Sequence, residues 1–254
     1  MATEYTPSEL MACVASRELR DGEVVFVGIG LPSLACNLAR LSHAPNLVLV
    51  YESGAIGATP ARLPVSVGDP SLVTDSLMVC PMTDIFQYLL QNGRIQVGFL
   101  GGAQVDRWGN INSTVVGPYD HPAVRLPGSG GAAEIAVNAE RVLIVAKLNP
   151  RAFPADVDFI TSPGHRARGG TRRELGIPGG GPARVVTDYC ILEPDETGEL
   201  CVAALHPGAT MADVAKGVGW PIRARPVVGS VEPPAPNELR LLREVLDPHR
   251  LFLR

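Results

Sequence analysis

Residues 24–54 read VVFVGIGLPSLACNLARLSHAPNLVLVYESG, and this stretch decides the fold class. Val24–Val27 and Leu47–Val50 are short, uninterrupted apolar runs, a pattern typical of strands that are buried on both faces of a parallel sheet. Gly28–Gly30 turns the chain after the first run, and Pro32–Leu41 has the pattern of a helix. The stretch therefore predicts a β–α–β unit.

The same alternation of helix and strand continues along the chain. Asp84–Gln91 predicts a helix and Val97–Leu100 a strand, and a helix from near Ala132 precedes the predicted strand Val142–Ala146. From Arg184 onward, short strands joined by turns indicate an antiparallel C-terminal addition. We therefore predict an α/β fold with an open, mostly parallel sheet flanked by helices, and a single domain that spans all 254 residues.

Charge and cysteine content exclude several classes of function. Lys and Arg number 22 against 26 Asp and Glu, and the resulting net charge of −4 gives no long-range attraction for nucleic acid or an anionic membrane. No secretory signal or membrane-spanning apolar stretch is visible. The five cysteines are widely spaced and form no Cys-x-x-Cys pair, which argues against zinc and disulfides. We expect a cytoplasmic protein with no metal and no nucleic-acid or membrane partner.

Glu52 is the most prominent charged residue of the first β–α–β unit. It follows the apolar strand Leu47–Tyr51 and precedes Ser53-Gly54, so it is expected at the carboxyl edge of the sheet, where open α/β folds bind ligands. A single carboxylate at such a place is more often a surface or capping residue than a catalytic one. The residues alone leave both roles open.

Two glycine motifs are candidates for ligand binding through backbone amides. Gly28 and Gly30 partly match a dinucleotide fingerprint, but Ser33 replaces its third glycine, so a tight turn near a substrate cleft is favoured over nicotinamide binding. Gly128–Ala132, called the glycine loop below, precedes a stretch compatible with a helix and can hold a phosphate or a developing oxyanion. A flexible loop explains that composition equally well.

A third glycine-rich stretch, Gly164–Gly181, is called the arginine segment below. It contains Arg166, Arg168, Arg172 and Arg173, which suit the phosphates of a coenzyme as well as they suit a solvated basic loop. His165 lacks a partner at a spacing that completes a catalytic arrangement. Further upstream, a turn at Asp106–Asn110, leading into a strand at 111–115, is expected to be structural.

Motifs rich in glycine recur in a fixed order along most of the chain: Val27–Pro32, Tyr51–Gly54, Ser66–Asp69, Gly101–Asp106, Gly109–Thr114, Gly128–Ala132 and Asp158–Gly164. Together these motifs resemble the class I coenzyme A transferases, in particular the small subunit of glutaconate CoA-transferase. The resemblance implies that the Glu of the Glu-Ser-Gly motif, here Glu52, is the nucleophile that forms a glutamyl-CoA thioester. It also implies an oxyanion-binding and substrate-binding backbone, at Ser129, Gly130, Gly131, Ala132, Gly28 and Gly30.

The resemblance further implies a large partner subunit, in a heterodimer or heterotetramer, with the active site between the two. The resemblance also implies that the enzyme acts on an acyl-CoA thioester and a carboxylic acid, and that it has no permanently bound cofactor. Hydrolases and a decarboxylase use a similar scaffold, but retention of Glu-Ser-Gly favours transfer. A nicotinamide enzyme and a sugar-phosphate sensor are weaker alternatives. The sensor is disfavoured because no DNA-reading helix-turn-helix precedes the domain.

Overall fold

The computed structural model describes residues 4–60 and 62–253. The chain divides into two compact units, and each is described by itself: unit 1 comprises residues 1–99 and 233–254, and unit 2 comprises residues 100–232. Residues 1–3, which belong to the segment inspected for a secretory signal, lie outside the described part. The expectation of a single domain stays a prediction.

Helices and strands alternate through most of the described chain. The α-helices are α1 (Pro7–Arg17), α2 (Leu31–Arg40), α3 (Met82–Asp84), α4 (Ala132–Asn138), α5 (Met211–Gly217) and α6 (Pro236–Arg240). A 3-10 helix spans Pro70–Val73, and the π-helices Ile85–Leu90 and Leu241–Leu246 continue α3 and α6. The strands are β1 (Val24–Phe26), β2 (Val48–Val50), β3 (Ala55–Ile56), β4 (Met78–Val79), β5 (Val97–Leu100), β6 (Gln104–Val105), β7 (Ile111–Asn112), β8 (Val115–Val116), β9 (Val124–Arg125), β10 (Arg141–Val145), β11 (Arg166–Ala167), β12 (Gly170–Thr171), β13 (Pro182–Val186), β14 (Cys190–Pro194), β15 (Leu200–Leu205) and β16 (Ala224–Ser230).

The sheet of unit 1 has a parallel centre. Strand β1 lies between β2 and β5 and is parallel to both, with Phe26 level with Val50 and Val25 level with Val97. Strand β3 then pairs antiparallel with β2, and β4 antiparallel with β3. The residues of β5 are all buried, as expected of a strand covered on both faces. The predicted β–α–β unit is confirmed.

Helices α1 and α2 complete unit 1 together with the C-terminal π-helix. Thr6 and Glu9 form the capping box that the sequence predicts, and Glu9 also pairs with Arg243 at 2.6 Å. Apolar side chains from these helices, Leu34, Leu38 and Leu242 among them, form one buried cluster. Burying a leucine side chain contributes about 2 kcal/mol to the stability of the fold, so this cluster stabilises the packing of the first helix against the last helix of the chain.

Unit 2 combines parallel and antiparallel strands. Strand β10 is parallel to β13, and β13, β14 and β15 are successive antiparallel neighbours, which confirms the predicted antiparallel addition. Strand β16 pairs parallel with β15 and was not predicted from the sequence. Pro226 interrupts its apolar run, and most of the strand is exposed, so β16 lacks the pattern of a buried strand. The α/β class is confirmed.

The described residues contain neither a membrane-spanning helix nor a cluster of metal-binding side chains. None of the helices in this part of the chain is both long and apolar enough to cross a membrane. Across residues 4–60 and 62–253, no three His, Cys, Asp or Glu side chains are grouped closely enough to hold a metal ion.

Candidate active site

Glu52 lies in a tight turn that begins where β2 ends. The carbonyl of Tyr51 accepts a hydrogen bond from the amide of Gly54 at 3.0 Å, and the Tyr51 amide donates to Ala55 at 2.9 Å. Glu52 is therefore held by backbone bonds on both sides. Its side chain is half-buried, and no group in residues 4–60 or 62–253 bonds to its carboxylate. The backbone at Glu52 is thus held in place, and its carboxylate has no bonding partner among the described residues.

Gly54 explains why the motif is Glu-Ser-Gly. Its φ angle is +105°, a conformation that residues with a side chain rarely adopt. A Cβ at this position would also overlap the carbonyl oxygen of Cys80. The Cys80 amide donates to the Gly54 carbonyl at 3.0 Å, so the turn lies directly against the strand that ends at Val79. The turn therefore requires glycine at position 54, and the turn sets the backbone position of Glu52.

Gly28 and Gly30 lie at the same edge of the unit 1 sheet as Glu52. The amide of Val27 donates to the carbonyl of Val50 at 2.9 Å, so β1 and β2 end side by side. Gly30 begins α2 with a φ of +90°, and its carbonyl accepts the first helical bond from Leu34 at 3.1 Å. The structure thus brings the predicted nucleophile and the first glycine motif to one edge.

The glycine loop of unit 2 is anchored at its first residue. The Gly128 amide donates to the carbonyl of Ser113, and the Ser113 hydroxyl donates back to the Gly128 carbonyl, both at 2.8 Å. The Ser113 amide donates in turn to the Thr161 hydroxyl at 2.9 Å. Two other motifs of the family resemblance therefore support this loop. Nothing in the sequence alone assigned that role to Ser113 or Thr161, since it depends on their meeting in the fold.

Only some amides of the glycine loop are available to a ligand. The Ala132 amide donates to the Ser129 carbonyl at 3.0 Å, and the Ala133 amide donates to the Ser129 hydroxyl at 3.3 Å. Within the described residues, nothing accepts a hydrogen bond from the amides of Gly130 and Gly131. The Ser129 carbonyl and hydroxyl and the Ala132 amide therefore shape the turn, and among the described residues the amides of Ser129, Gly130 and Gly131 are left without an acceptor.

Comparison with known proteins identifies the family. The model of the coenzyme A transferase family matches residues 9–217 of the chain. The chain is also 52% identical to one subunit of the 3-oxoadipate CoA-transferase of Pseudomonas knackmussii, over 94% of this chain and 92% of that protein. The chain belongs to the coenzyme A transferase family.

Glutaconate CoA-transferase of Acidaminococcus fermentans is a second relative of this transferase chain. Its corresponding subunit is 36% identical over 99% of this chain and 96% of its own length. The crystal structure of that enzyme matches with a TM-score of 0.92 at 34% identity, covering 99% of this chain and 98% of the matched chain. The decarboxylase AibA/AibB matches less closely, with a TM-score of 0.84 at 25% identity and coverage of 98% and 97%. The predicted family and enzyme class are confirmed, and the named relatives are subunits of heteromeric enzymes, as the sequence led us to expect for this chain.

Arg172 of the transferase chain is a structural residue, although the sequence also allowed it to bind phosphate. It is buried, and its guanidinium donates to five backbone carbonyls, those of Ala136, Val137, Pro163, Gly164 and Gly179, at 2.8–3.3 Å. Burial lowers its pKa to about 10. Arg172 therefore has no donor to spare for a coenzyme. Of the other three arginines, all exposed, Arg166 lies over the Trp108 ring at 5.3 Å.

The glycines of the arginine segment allow close backbone packing. A Cβ at Gly164 would overlap the carbonyl of Trp108, and one at Gly179 or Gly180 would overlap a carbonyl at the end of α4. The amides of these three glycines are all used: Gly164 donates to Asn110, Gly179 to Val137 and Gly180 to Glu140. The segment is therefore neither a solvated loop nor an open anion site at these positions.

His165 and Asp106 also have structural positions. The Nε2 of His165 lies 2.7 Å from the Pro182 carbonyl, to which it donates, and burial lowers the pKa of this imidazole. Asp106 is buried and accepts from the amides of Trp108 and Asn110, so the predicted turn is confirmed. The strand expected at 111–115 is instead two short strands, β7 and β8. They separate because the Asn112 side chain accepts from the amides at 114 and 115.

Proposed function

We propose that this chain carries the catalytic carboxylate of a two-subunit CoA-transferase, and that Glu52 is the nucleophile. One observation carries the proposal: the Glu52 carboxylate lies in a rigid turn at the carboxyl edge of the sheet with no side-chain partner in the described chain. A glutamate carboxylate is ionised at neutral pH and attacks without a general base. The reaction therefore needs no histidine, in line with the structural position of His165.

The proposed reaction conserves the thioester bond. A Glu52 oxygen attacks the acyl carbon of the acyl-CoA, the C–S bond breaks, and an acyl-glutamyl anhydride and CoA thiolate form. The thiolate then attacks the glutamyl carbon of the anhydride, so that the first acid leaves as a carboxylate and a glutamyl-CoA thioester remains. A second carboxylate reverses both steps. No proton, electron or nucleotide is consumed, and no permanently bound cofactor is required.

Each attack creates an oxyanion that needs hydrogen-bond donors. We assign this role to the free amides of Gly130 and Gly131, because the Ala132 amide is already used within the loop. Removing one such donor in other enzymes costs about 3 to 4 kcal/mol of transition-state stabilisation. Gly28 and Gly30, at the same edge as Glu52, are proposed to line the substrate.

The proposed substrates are dicarboxylic acids, with 3-oxoadipate as the first candidate. The two named transferase relatives act on 3-oxoadipate and glutaconate, and both acids carry a second carboxylate. The 3-oxoadipate relative shares more of this chain's residues. We further propose a cytoplasmic location, since the five free cysteines suit a reducing compartment.

Acceptor dependence tests the proposed reaction. The assembled enzyme is incubated with succinyl-CoA or acetyl-CoA and, in turn, with 3-oxoadipate, glutaconate or butyrate. We expect a new acyl-CoA to form in equal amount to the acid released, fastest with 3-oxoadipate, while the total thioester concentration stays constant. Loss of thioester without an acceptor, measured as free thiol, would make the enzyme a hydrolase and overturn the proposal.

A further inference from the structure

Unit 1 has a cluster of exposed apolar side chains beside the Glu52 turn. Each of these side chains is more than half exposed, and together they are called the apolar patch below: Val73 (52%), Leu77 (76%), Met78 (55%), Val79 (57%) and Met82 (52%). Exposed apolar residues are normal when scattered, but here five follow one another within ten positions of the chain. This grouping indicates a surface that another molecule covers.

The strand within the patch is open on more than one side. Met78 and Val79 form β4, and successive strand residues point to opposite faces, yet both are exposed. Strand β4 pairs with β3 along one edge and, among the described residues, with no strand along the other. An apolar edge strand left bare is prone to unwanted association, and natural proteins cover or charge such edges. Here no lysine or arginine occurs from residue 63 to residue 93.

We propose that the apolar patch is the docking surface for the large subunit of the transferase. The named transferase relatives are each one subunit of an enzyme built from different subunits, so a partner exists that must cover part of this surface. The patch is continuous with the Glu52 turn, because Cys80 follows Val79 and its amide donates to Gly54 at 3.0 Å. A partner chain seated on the patch therefore lies beside Glu52.

This position suits the chemistry at Glu52. Water must be kept from the acyl-glutamyl anhydride, and a covering partner chain excludes it. The charges within residues 63–93 are acidic, at Asp69, Asp75 and Asp84, and Asp69 is already paired with Arg62 at 2.7 Å. The partner surface should accordingly be apolar at its centre, with lysine or arginine at the rim facing Asp75 and Asp84. The inference rests on the proposed function only for the role of Glu52.

Charge placed in the patch tests the inference. The chain with Leu77→Arg and Val79→Arg is co-expressed with the large transferase subunit of the same organism, and complex formation is measured by co-purification and light scattering. We expect affinity to fall at least about 100-fold, because buried apolar anchors carry most of the binding energy of an interface. Leu41→Arg is the matched control, since Leu41 is 51% exposed but lies at the C-terminal end of α2, the end away from the Glu52 edge, and its change should leave assembly unchanged.

Other outcomes decide against the inference. Normal assembly of the double variant with the large subunit overturns it. It is also overturned if the wild-type chain forms a homodimer and the double variant loses that homodimer but still forms the two-subunit complex. If the double variant does not fold, hydrogen exchange of the wild-type chain decides: peptides covering residues 73–82 should gain protection when the large subunit is added, and unchanged exchange overturns the inference. Glu52→Ala should assemble normally without turnover, so failed docking and failed chemistry are distinguishable.

Discussion

The glycine loop and the arginine segment are both rich in glycine, but their backbones are used in opposite ways. In the glycine loop, the amides of Gly130 and Gly131 have no acceptor within the described chain. In the arginine segment, the amides of Gly164, Gly179 and Gly180 all donate within the protein, and each glycine lies against a neighbouring carbonyl. Whether the backbone amides have acceptors within the protein, and not the glycine content, therefore distinguishes a ligand-binding loop from a packing segment.

Gly164→Ala should give the largest effect on stability. The new Cβ would overlap the Trp108 carbonyl, and backbone atoms cannot move aside locally. We expect a loss of more than about 4 kcal/mol in the free energy of unfolding, measured by chemical denaturation. Gly176→Ala is the matched control: its φ of +66° costs about 1 to 2 kcal/mol, and no atom crowds its Cβ. Equal losses in the two variants would contradict close packing at Gly164.

Arg172→Ala should be the next most damaging change. It removes five hydrogen bonds to backbone carbonyls, two of them buried, and we expect a loss of about 3 to 5 kcal/mol in the free energy of unfolding. Arg173→Ala, on an exposed neighbour, should change stability by less than about 0.5 kcal/mol. If Arg172→Ala instead kept its stability and weakened the binding of CoA, the structural role given to Arg172 would be wrong.

Gly130→Val tests the other half of the comparison. Gly130 is exposed and has a φ of +49°, so a β-branched residue should rotate the local peptide and turn its free amides away. We expect kcat to fall about 100-fold to 1000-fold, with a melting temperature close to that of the wild type. Gly131→Val should act in the same direction by crowding alone, because Gly131 is buried and its φ of −79° is compatible with a side chain. Ala132→Ser, which leaves the free amides in place, should retain turnover; an active Gly130→Val enzyme would remove the oxyanion role.

His165→Gln should have the smallest effect. Glutamine can still donate to Pro182, so we expect unchanged kcat at neutral pH and a stability loss below about 1 kcal/mol. Burial lowers the pKa of His165, so protonation favours the unfolded chain. The wild-type free energy of unfolding should therefore fall as the pH drops below about 6.5, by at most about 1.4 kcal/mol per pH unit from this group. The variant should lack that component when unfolding is measured between pH 7 and pH 5.

Much of the fold could be predicted because local patterns determine it. The apolar runs at 24–27 and 47–50 predict β1 and β2, and the end of β2 places Glu52 at the sheet edge. The capping box at Thr6 and Glu9 is a local signal and also forms as predicted. Gly130 and Gly131 could be named as candidates, since adjacent glycines before a helix favour an anion site.

The remaining features depend on contacts between distant parts of the chain. Arg172 is structural only because carbonyls from α4, from residues 163–164 and from Gly179 meet around it. Ser113 and Thr161 support the glycine loop across 48 positions of sequence. No single stretch of the sequence predicts these long-range contacts. Strand β16 was missed for a different reason, because its exposed residues and Pro226 lack the pattern of a buried strand.

The most direct test of the central claim is to trap the intermediate on Glu52. The assembled wild-type enzyme is incubated with acyl-CoA in the absence of an acceptor acid, digested, and analysed by mass spectrometry. We predict a CoA adduct on the peptide that contains Tyr51-Glu52-Ser53, and no adduct in Glu52→Ala, which should assemble and lose transfer by several orders of magnitude. An adduct on another residue, or an active Glu52→Ala enzyme, would show that Glu52 is not the nucleophile.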